Sequence, residues 1–238
     1  MNWVLYCSHN SLPVSLEEYF QAELKKSAAG CPIVACIKSA RSEQVKSFGD
    51  IQIICKGGSF EKNNWESYLQ QMKRGMNAIK EADPDGWVGI AEHDVLYPNC
   101  FFKDTPPNPK VILKNTNLYF LNKSGYYGPH GTSIHSQTLA HVQTLLYCAD
   151  EPVPMHKKFK NTAGGEYELN MVKNPVPSID VRWGGNYTGP KGNARTQPEH
   201  FLQYWGDSMQ WWGEIEKRNS EANNERTSTN RWNPHGTG

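Results

Sequence analysis

Hydrophobic and polar positions alternate in blocks along the first hundred residues. Trp3 to Cys7 is a short apolar run. Ser15 and Glu18 follow at capping-box spacing, and Leu16, Tyr19, Phe20, Leu24 and Ala28 then recur on one helical face. This predicts a strand and then a helix, closed at Gly30. Pro32 to Ile37 and Ile51 to Cys55 are apolar without alternation and predict two buried strands. Asn63 and Glu66 repeat the capping signal ahead of Trp65, Tyr68, Leu69, Met72, Met76 and Ile79, a helix running to the Asp83-Pro84-Asp85-Gly86 turn. Beyond the turn, Trp87 to Ala91 predicts a fourth strand, and it stops abruptly at Glu92, His93 and Asp94.

Strands alternating with helices imply a single α/β domain of Rossmann-like type, with a mainly parallel central sheet flanked by helices. Ligands bind such sheets outside the carboxyl ends of the strands, which is where the acidic segment would sit. The second half is less regular. Val111 to Leu113, Leu118 to Leu121 and Ile179 to Arg182 read as strands, and Ser133 to Tyr147 carries Ile134, Leu139, Val142, Leu145 and Leu146 at helical spacing. Asp150 to Ser178 reads as one long connection, and Phe201 to Trp212 as an aromatic closing helix. The expected organisation is one domain in two halves, residues 1–100 and 101–215, followed by a polar tail at 216–238.

Composition narrows the function classes. The 238 residues hold 25 Lys and Arg against 24 Asp and Glu, so the chain as a whole is not a basic nucleic-acid binder. Between Lys103 and Arg195, however, eleven basic residues face six acidic ones, a field suited to an anionic ligand. Six cysteines lack CxxC pairing, which argues against a zinc ribbon or disulfide scaffold and for reduced core thiols. The N-terminal segment has the character of neither a secretory signal nor a spanning helix, so a cytoplasmic location is expected, with no membrane span.

Mn2+ and Mg2+ prefer oxygen ligands and are commonly held by one or two carboxylates together with substrate phosphates. Asp94 is therefore the first expected metal ligand. On a regular strand Glu92 would face the same side, serving the metal or a sugar hydroxyl, while His93 would point elsewhere.

The opening strand that ends in Tyr6, Cys7, Ser8, His9 and Asn10, the Glu-His-Asp-Val-Leu-Tyr-Pro segment at 92–98, and Ile-Asp-Val-Arg-Trp-Gly-Gly-Asn-Tyr-Thr-Gly at 179–189 together resemble a bacterial and phage glycosyltransferase family with a GT-A fold. The resemblance covers roughly residues 3 to 212. In that family Glu-His-Asp takes the place of the Asp-x-Asp metal motif of nucleotide-sugar transferases. The resemblance implies that Asp94 binds a metal bridging the donor diphosphate and that Glu92 contacts the donor sugar or the metal shell. It implies also that Tyr6, Ser8 and Asn10 receive the base and ribose of the nucleotide-sugar, most plausibly a UDP-sugar. The chain departs from the family at Trp183, where relatives often carry a His that could complete a metal shell. A third ligand would then come from His200, His135 or water.

Glycosyl transfer needs a poised acceptor hydroxyl and stabilisation of the departing diphosphate. Arg182, with Lys191 and Arg195 behind it, suits the second need; Asn186 and Thr188 could fix donor or acceptor hydroxyls. Glu166, flanked by Gly164 and Gly165, suits the first as a general base, with Glu168 as its rival, and would make the reaction inverting. Lys157, Lys158 and Lys160 around Phe159 suit phosphate contacts beside a stacking ring, as in a DNA acceptor carrying hydroxymethylated pyrimidine. Phage members of families resembling this one modify such DNA, and Trp183 or Tyr187 could receive an extruded base. A surface-polysaccharide or other carbohydrate precursor is the alternative acceptor. Two other classes compete, a metal-dependent hydrolase and a non-catalytic nucleic-acid-binding module.

Overall fold

The computed structural model describes residues 1–8, 12, 14–38, 47–55, 65–122, 127–129, 135–150 and 167–182. Their elements in chain order are β1 (Asn2–Ser8), α1 (Val14–Ala28), β2 (Ile33–Lys38), β3 (Ile51–Cys55), α2 (Trp65–Ala82), β4 (Trp87–Glu92), β5 (Val95–Leu96), β6 (Val111–Asn115), β7 (Leu118–Asn122), β8 (Tyr127–Pro129), a 3-10 turn at His135–Gln137, β9 (Thr138–His141), α3 (Val142–Asp150), β10 (Glu168–Val172) and β11 (Ser178–Arg182). Seven strands form a sheet in the order β10-β6-β9-β4-β1-β2-β3, and four form a smaller one in the order β5-β11-β7-β8. β1 to β4 run parallel, β9 runs antiparallel between β4 and β6, and β10 pairs parallel with β6. The chain is thus an α/β protein with a mainly parallel central sheet, and both halves of the sequence contribute strands to it.

β1 carries no polar face because helices cover both of its sides. Trp3, Leu5 and Cys7 share one cluster with Met72, Met76 and Ile79 of α2 and with Val142 and Leu145 of α3. Val4 and Tyr6 share the other with Leu24 and Ala28 of α1. Each such fully buried aliphatic side chain contributes roughly 1.5–3 kcal/mol. α2 approaches the sheet closely at Gly75, where an added Cβ would lie 2.2 Å from Leu5 Cδ1 and 2.8 Å from Cys36 Sγ. Gly75→Ala should therefore destabilise the fold by about 1–3 kcal/mol despite alanine's better helix propensity, read as a lower urea midpoint at unchanged slope.

Several expectations need correction. α1 begins at Val14, so Ser15 lies within its first turn; its end is as expected, with Ala29 and Gly30 left-handed at φ 50° and 90°. β3 is an edge strand and not a fully buried one, and Ile54 is 37% exposed. The apolar positions after Ser133 do not form one helix. Thr138–His141 is a fully buried strand filling the space between β4 and β6, with Leu139 opposite both Gly89 and Leu113; only Val142–Asp150 is α-helical. The flanking strands need their backbone groups paired, and that demand overrides a short apolar pattern that fits either structure. The expected long connection contains β10, whose pairing with β6 supplies the sheet's other edge.

A buried amide network joins the two sheets. Asn115 Oδ1 accepts the backbone N–H groups of Asn117 at 3.0 Å and Asn174 at 3.1 Å, while its Nδ2 donates to Gln137 Oε1 at 2.8 Å. Gln137 Nε2 donates in turn to the carbonyl of Ser136 at 3.1 Å. This holds the 3-10 turn against the end of β6, close to the acidic segment.

Candidate functional site

The direction of strand addition reverses at β1: β2 and β3 lie on one side of it, β4 on the other. Such a switch point opens a crevice beyond the carboxyl ends of the two diverging strands. Here those ends are in register, with Cys7 opposite Glu92. β4 stops at Glu92 because the Tyr97 hydroxyl accepts the Glu92 N–H at 2.9 Å. The chain then turns through His93 and Asp94 into β5, and the Asp94 carbonyl accepts the N–H of Val181 at 2.9 Å, fastening the turn to β11. Asp94 is therefore a turn residue and not a strand neighbour of Glu92. What brings acids together is the pairing of β5 with β11, which sets Asp180 opposite Val95, beside the turn.

The charges of this edge are mutually unfavourable. Burial, and then repulsion from Asp94 and Asp180, push the Glu92 carboxyl up to about 7, against a hydrogen bond from the Tyr68 hydroxyl at 3.3 Å. His93 is 3% exposed. Burial lowers it to about 4 despite the pull of Asp180 and a hydrogen bond to the Cys7 backbone, so it is neutral at pH 7. Lys114, on β6, is buried as well; desolvation lowers it to about 8, with Glu92 near enough to oppose the shift. Three ionisable groups pushed toward their uncharged forms near the carboxyl end of β4 make this edge the candidate functional site.

Tyr6 and Ser8 need correction as nucleotide contacts. Tyr6 is 1% exposed, its ring packs edge-on against Phe48 at 5.0 Å, and its hydroxyl donates to Glu17 at 3.2 Å. Ser8 is fully buried and donates to the same carboxyl oxygen at 2.6 Å. Both side chains face the core beneath α1, leaving no surface for a base. Burial raises Glu17 above the ordinary glutamate range in spite of these two donors. The unfolded chain then loses this proton before the folded one does, so Glu17 supports the fold fully at low pH and progressively less as pH rises through its folded pKa. Glu17→Gln, which keeps an acceptor oxygen, should flatten the loss of stability above pH 4.5, measured as urea midpoints across pH.

Glu168, the rival general base, is the exposed first residue of β10. β10 runs in the same direction as β4, so Glu168 lies at the amino edge of the sheet, at the opposite end from Glu92. Arg182 ends β11, two residues beyond Asp180. Asn10, Lys157, Lys158, Lys160, Glu166, Trp183, Asn186, Tyr187, Thr188 and His200 lie outside the described residues. Sequence reasoning missed Asp180, Lys114, Tyr97 and Ser136. The signals available were a lone Asp within an apolar strand and a lone Lys within another, both costly unless they have a purpose.

Among the described residues, no three His, Cys, Asp or Glu side chains form a ready-made metal cage. The oxygen donors still suit a hard divalent cation, which typically takes only one or two carboxylates and completes its shell with water and substrate phosphate. A cation beside Glu92 and Asp94 would relieve the repulsion that raises Glu92.

No protein-family model and no curated protein matches the chain. Solved structures similar in fold include a glycosyltransferase involved in the glycosylation of the major capsid of PBCV-1, at 7% identity and TM-score 0.42, covering 76% of this chain and 92% of that one. Another is the 4-diphosphocytidyl-2C-methyl-D-erythritolsynthase of Anaerococcus prevotii, at 10% identity and TM-score 0.44, covering 73% of this chain and 89% of that one. Neither is close enough to assign a donor or an acceptor. Among the described residues, no helix is long and apolar enough to cross a membrane.

Proposed function

We propose that the chain is a metal-dependent glycosyltransferase that moves a sugar from a nucleotide-sugar, most plausibly a UDP-sugar, to a hydroxyl acceptor. The observation that carries this reading is the grouping of Glu92 and Asp94 with Asp180 at the carboxyl side of the β1–β4 switch point. Asp94 and Glu92 would hold Mn2+ or Mg2+ together with the donor diphosphate. When bound, the cation neutralises charge on the departing diphosphate. Lys114 supplies positive charge from within the sheet, and Arg182 supplies it from the end of β11. Neutral His93 braces the turn through its hydrogen bond to the Cys7 backbone. Glu166 is the proposed base that takes the acceptor proton, while Asn186 and Thr188 orient sugar hydroxyls and His200 is the candidate further ligand.

The proposed acceptor is 5-hydroxymethylcytosine or 5-hydroxymethyluracil in DNA, engaged by Lys157, Lys158, Lys160, Trp183 and Tyr187. It is supported by the basic and aromatic composition of 156–160 and by the family resemblance of the acidic segment. The test is incubation with a panel of nucleotide-sugars, Mn2+ and DNA containing each modified base, followed by digestion to nucleosides and mass spectrometry. A hexose increment on the modified nucleoside is expected. No increment with any donor, together with turnover of a carbohydrate acceptor, would overturn the DNA acceptor and leave the transferase; release of free sugar or phosphate alone would indicate a hydrolase.

A further inference from the structure

Glu17, in the first turn of α1, is a carboxylate that the acidic edge does not use, and it is only 8% exposed. α1 leads from β1 to the parallel strand β2, so its first turn stands at the carboxyl edge of the sheet. Helical side chains lean back toward the amino end of their helix, which here is toward that same edge. Glu17 thus sits beside the β1–β4 switch point, on the face of the sheet opposite Glu92. Cys7, in register with Glu92, belongs to the cluster under α2, whereas Tyr6 and Ser8 alternate with it and meet Glu17 under α1.

The two oxygens of this carboxyl have different surroundings. Oε1 accepts the hydroxyls of both Tyr6 and Ser8, at 3.2 and 2.6 Å. Oε2 has no hydrogen-bond or ion-pair partner among the described residues, and it is not sealed inside the core. Two donors on one oxygen fix the rotation of the group and leave the other oxygen as an outward acceptor. Desolvation raises Glu17 above the ordinary glutamate range, and among the described residues no cation offsets that cost. An acceptor held in this way suits a ligand that brings a hydroxyl, and repels one that brings a phosphate. One strand spacing, about 4.8 Å, and the lengths of two side chains on opposite faces separate Oε2 from the Glu92 carboxyl. A nucleotide whose diphosphate sits at Glu92 and Asp94 crosses that gap with its ribose.

Resting on the transferase reading, we infer that Glu17 is the ribose-recognition residue of the donor site, with Oε2 accepting a hydrogen bond from a hydroxyl of the ribose diol. Tyr6 and Ser8 then act on the nucleotide only through Glu17, as positioning residues that hold its other oxygen. The site selects donors with an intact ribose diol, because an analogue lacking the bonded hydroxyl leaves a buried carboxyl oxygen unpaired.

The test is calorimetric titration of the full-length chain at pH 7 with UDP, 2′-deoxy-UDP and 3′-deoxy-UDP, each with and without Mn2+, repeated on Glu17→Gln and Tyr6→Phe after thermal unfolding shows both variants folded. The unsubstituted chain should bind UDP about ten- to hundredfold more tightly than at least one deoxy analogue, the range for a hydrogen bond to a charged group. In Glu17→Gln the amide keeps its oxygen toward Tyr6 and Ser8 and turns its N–H groups outward. UDP should then weaken about tenfold while that deoxy analogue hardly changes, so the preference shrinks. Tyr6→Phe, which keeps the ring against Phe48 and removes one donor, should shrink it in part. Equal affinity for UDP and both analogues, or a preference unchanged in Glu17→Gln, would overturn the role of Glu17, and a Mn2+ gain in UDP binding would then leave the transferase reading standing. A hydroxyl preference that is lost in Glu17→Gln but indifferent to Mn2+ would support Glu17 and count against the metal site. No binding of UDP would overturn both.

Discussion

Asp94→Asn is expected to lower glycosyl transfer by about 10²–10³-fold, the range for loss of one electrostatic group that stabilises a transition state. The fold should survive the change, since asparagine is close to aspartate in size and shape and keeps the backbone carbonyl that accepts the Val181 N–H. One of the charges that repel Glu92 also disappears, so the melting temperature should be equal or higher. The measurement is initial rate at saturating donor, alongside thermal unfolding of both proteins. A variant that loses activity only because it unfolds would contradict the role given to Asp94, as would one that transfers sugar at the wild-type rate.

Lys114→Met should separate stability from function in the same direction. Burial lowers this ammonium from 10.5 to about 8, so at neutral pH the folded protein holds a charge that its surroundings disfavour by about 3 kcal/mol. The sign follows from proton binding: below pH 8 both states are protonated and the cost is fully present, while between about 8 and 10.5 the folded lysine releases its proton first and the fold gains stability as pH rises. Methionine matches the aliphatic stem without the charge. The variant should gain up to about 3 kcal/mol near pH 7 and lose the rise in stability above pH 8, read from urea unfolding at several pH values. Its transfer rate should fall, as expected of a residue kept for function at the expense of stability. A variant that is no more stable at pH 7 would show that Lys114 has a stronger partner than its surroundings imply.

How much of this was legible in the sequence follows from how local each signal is. β1, β2, β4 and α2 announce themselves through long runs with a single reading: continuous apolar strands covered on both faces, and a helix whose Met72, Met76 and Ile79 fall on one side. β9 and β10 do not. Thr138–His141 has four residues, and its strand conformation is imposed by partners about 25 and 50 residues earlier in the chain; β10 is a short edge strand with no fully buried residue, so pairing with β6 defines it more than composition does. The site divides in the same way. Glu92 and Asp94 stand out because an apolar strand ends on them. Asp180, Lys114 and Ser136 join them only through strand pairing and the Asn115–Gln137 network, contacts that span 20 to 90 residues of sequence. Tyr6 illustrates the opposite error, for a tyrosine at a strand end reads as a ring offered to a base until Phe48 and Glu17 are seen to occupy it.

The central claim is that Glu92 and Asp94 form a cation-dependent diphosphate site. Calorimetric titration of UDP into the full-length protein, with and without Mn2+, tests it most directly, repeated on Asp94→Asn and Glu92→Gln. Binding in the wild-type protein should tighten at least about tenfold when Mn2+ is present, and that gain should vanish in both variants while their folding is retained. Binding of UDP that is indifferent to Mn2+, or a Mn2+ gain that persists in both variants, would contradict it.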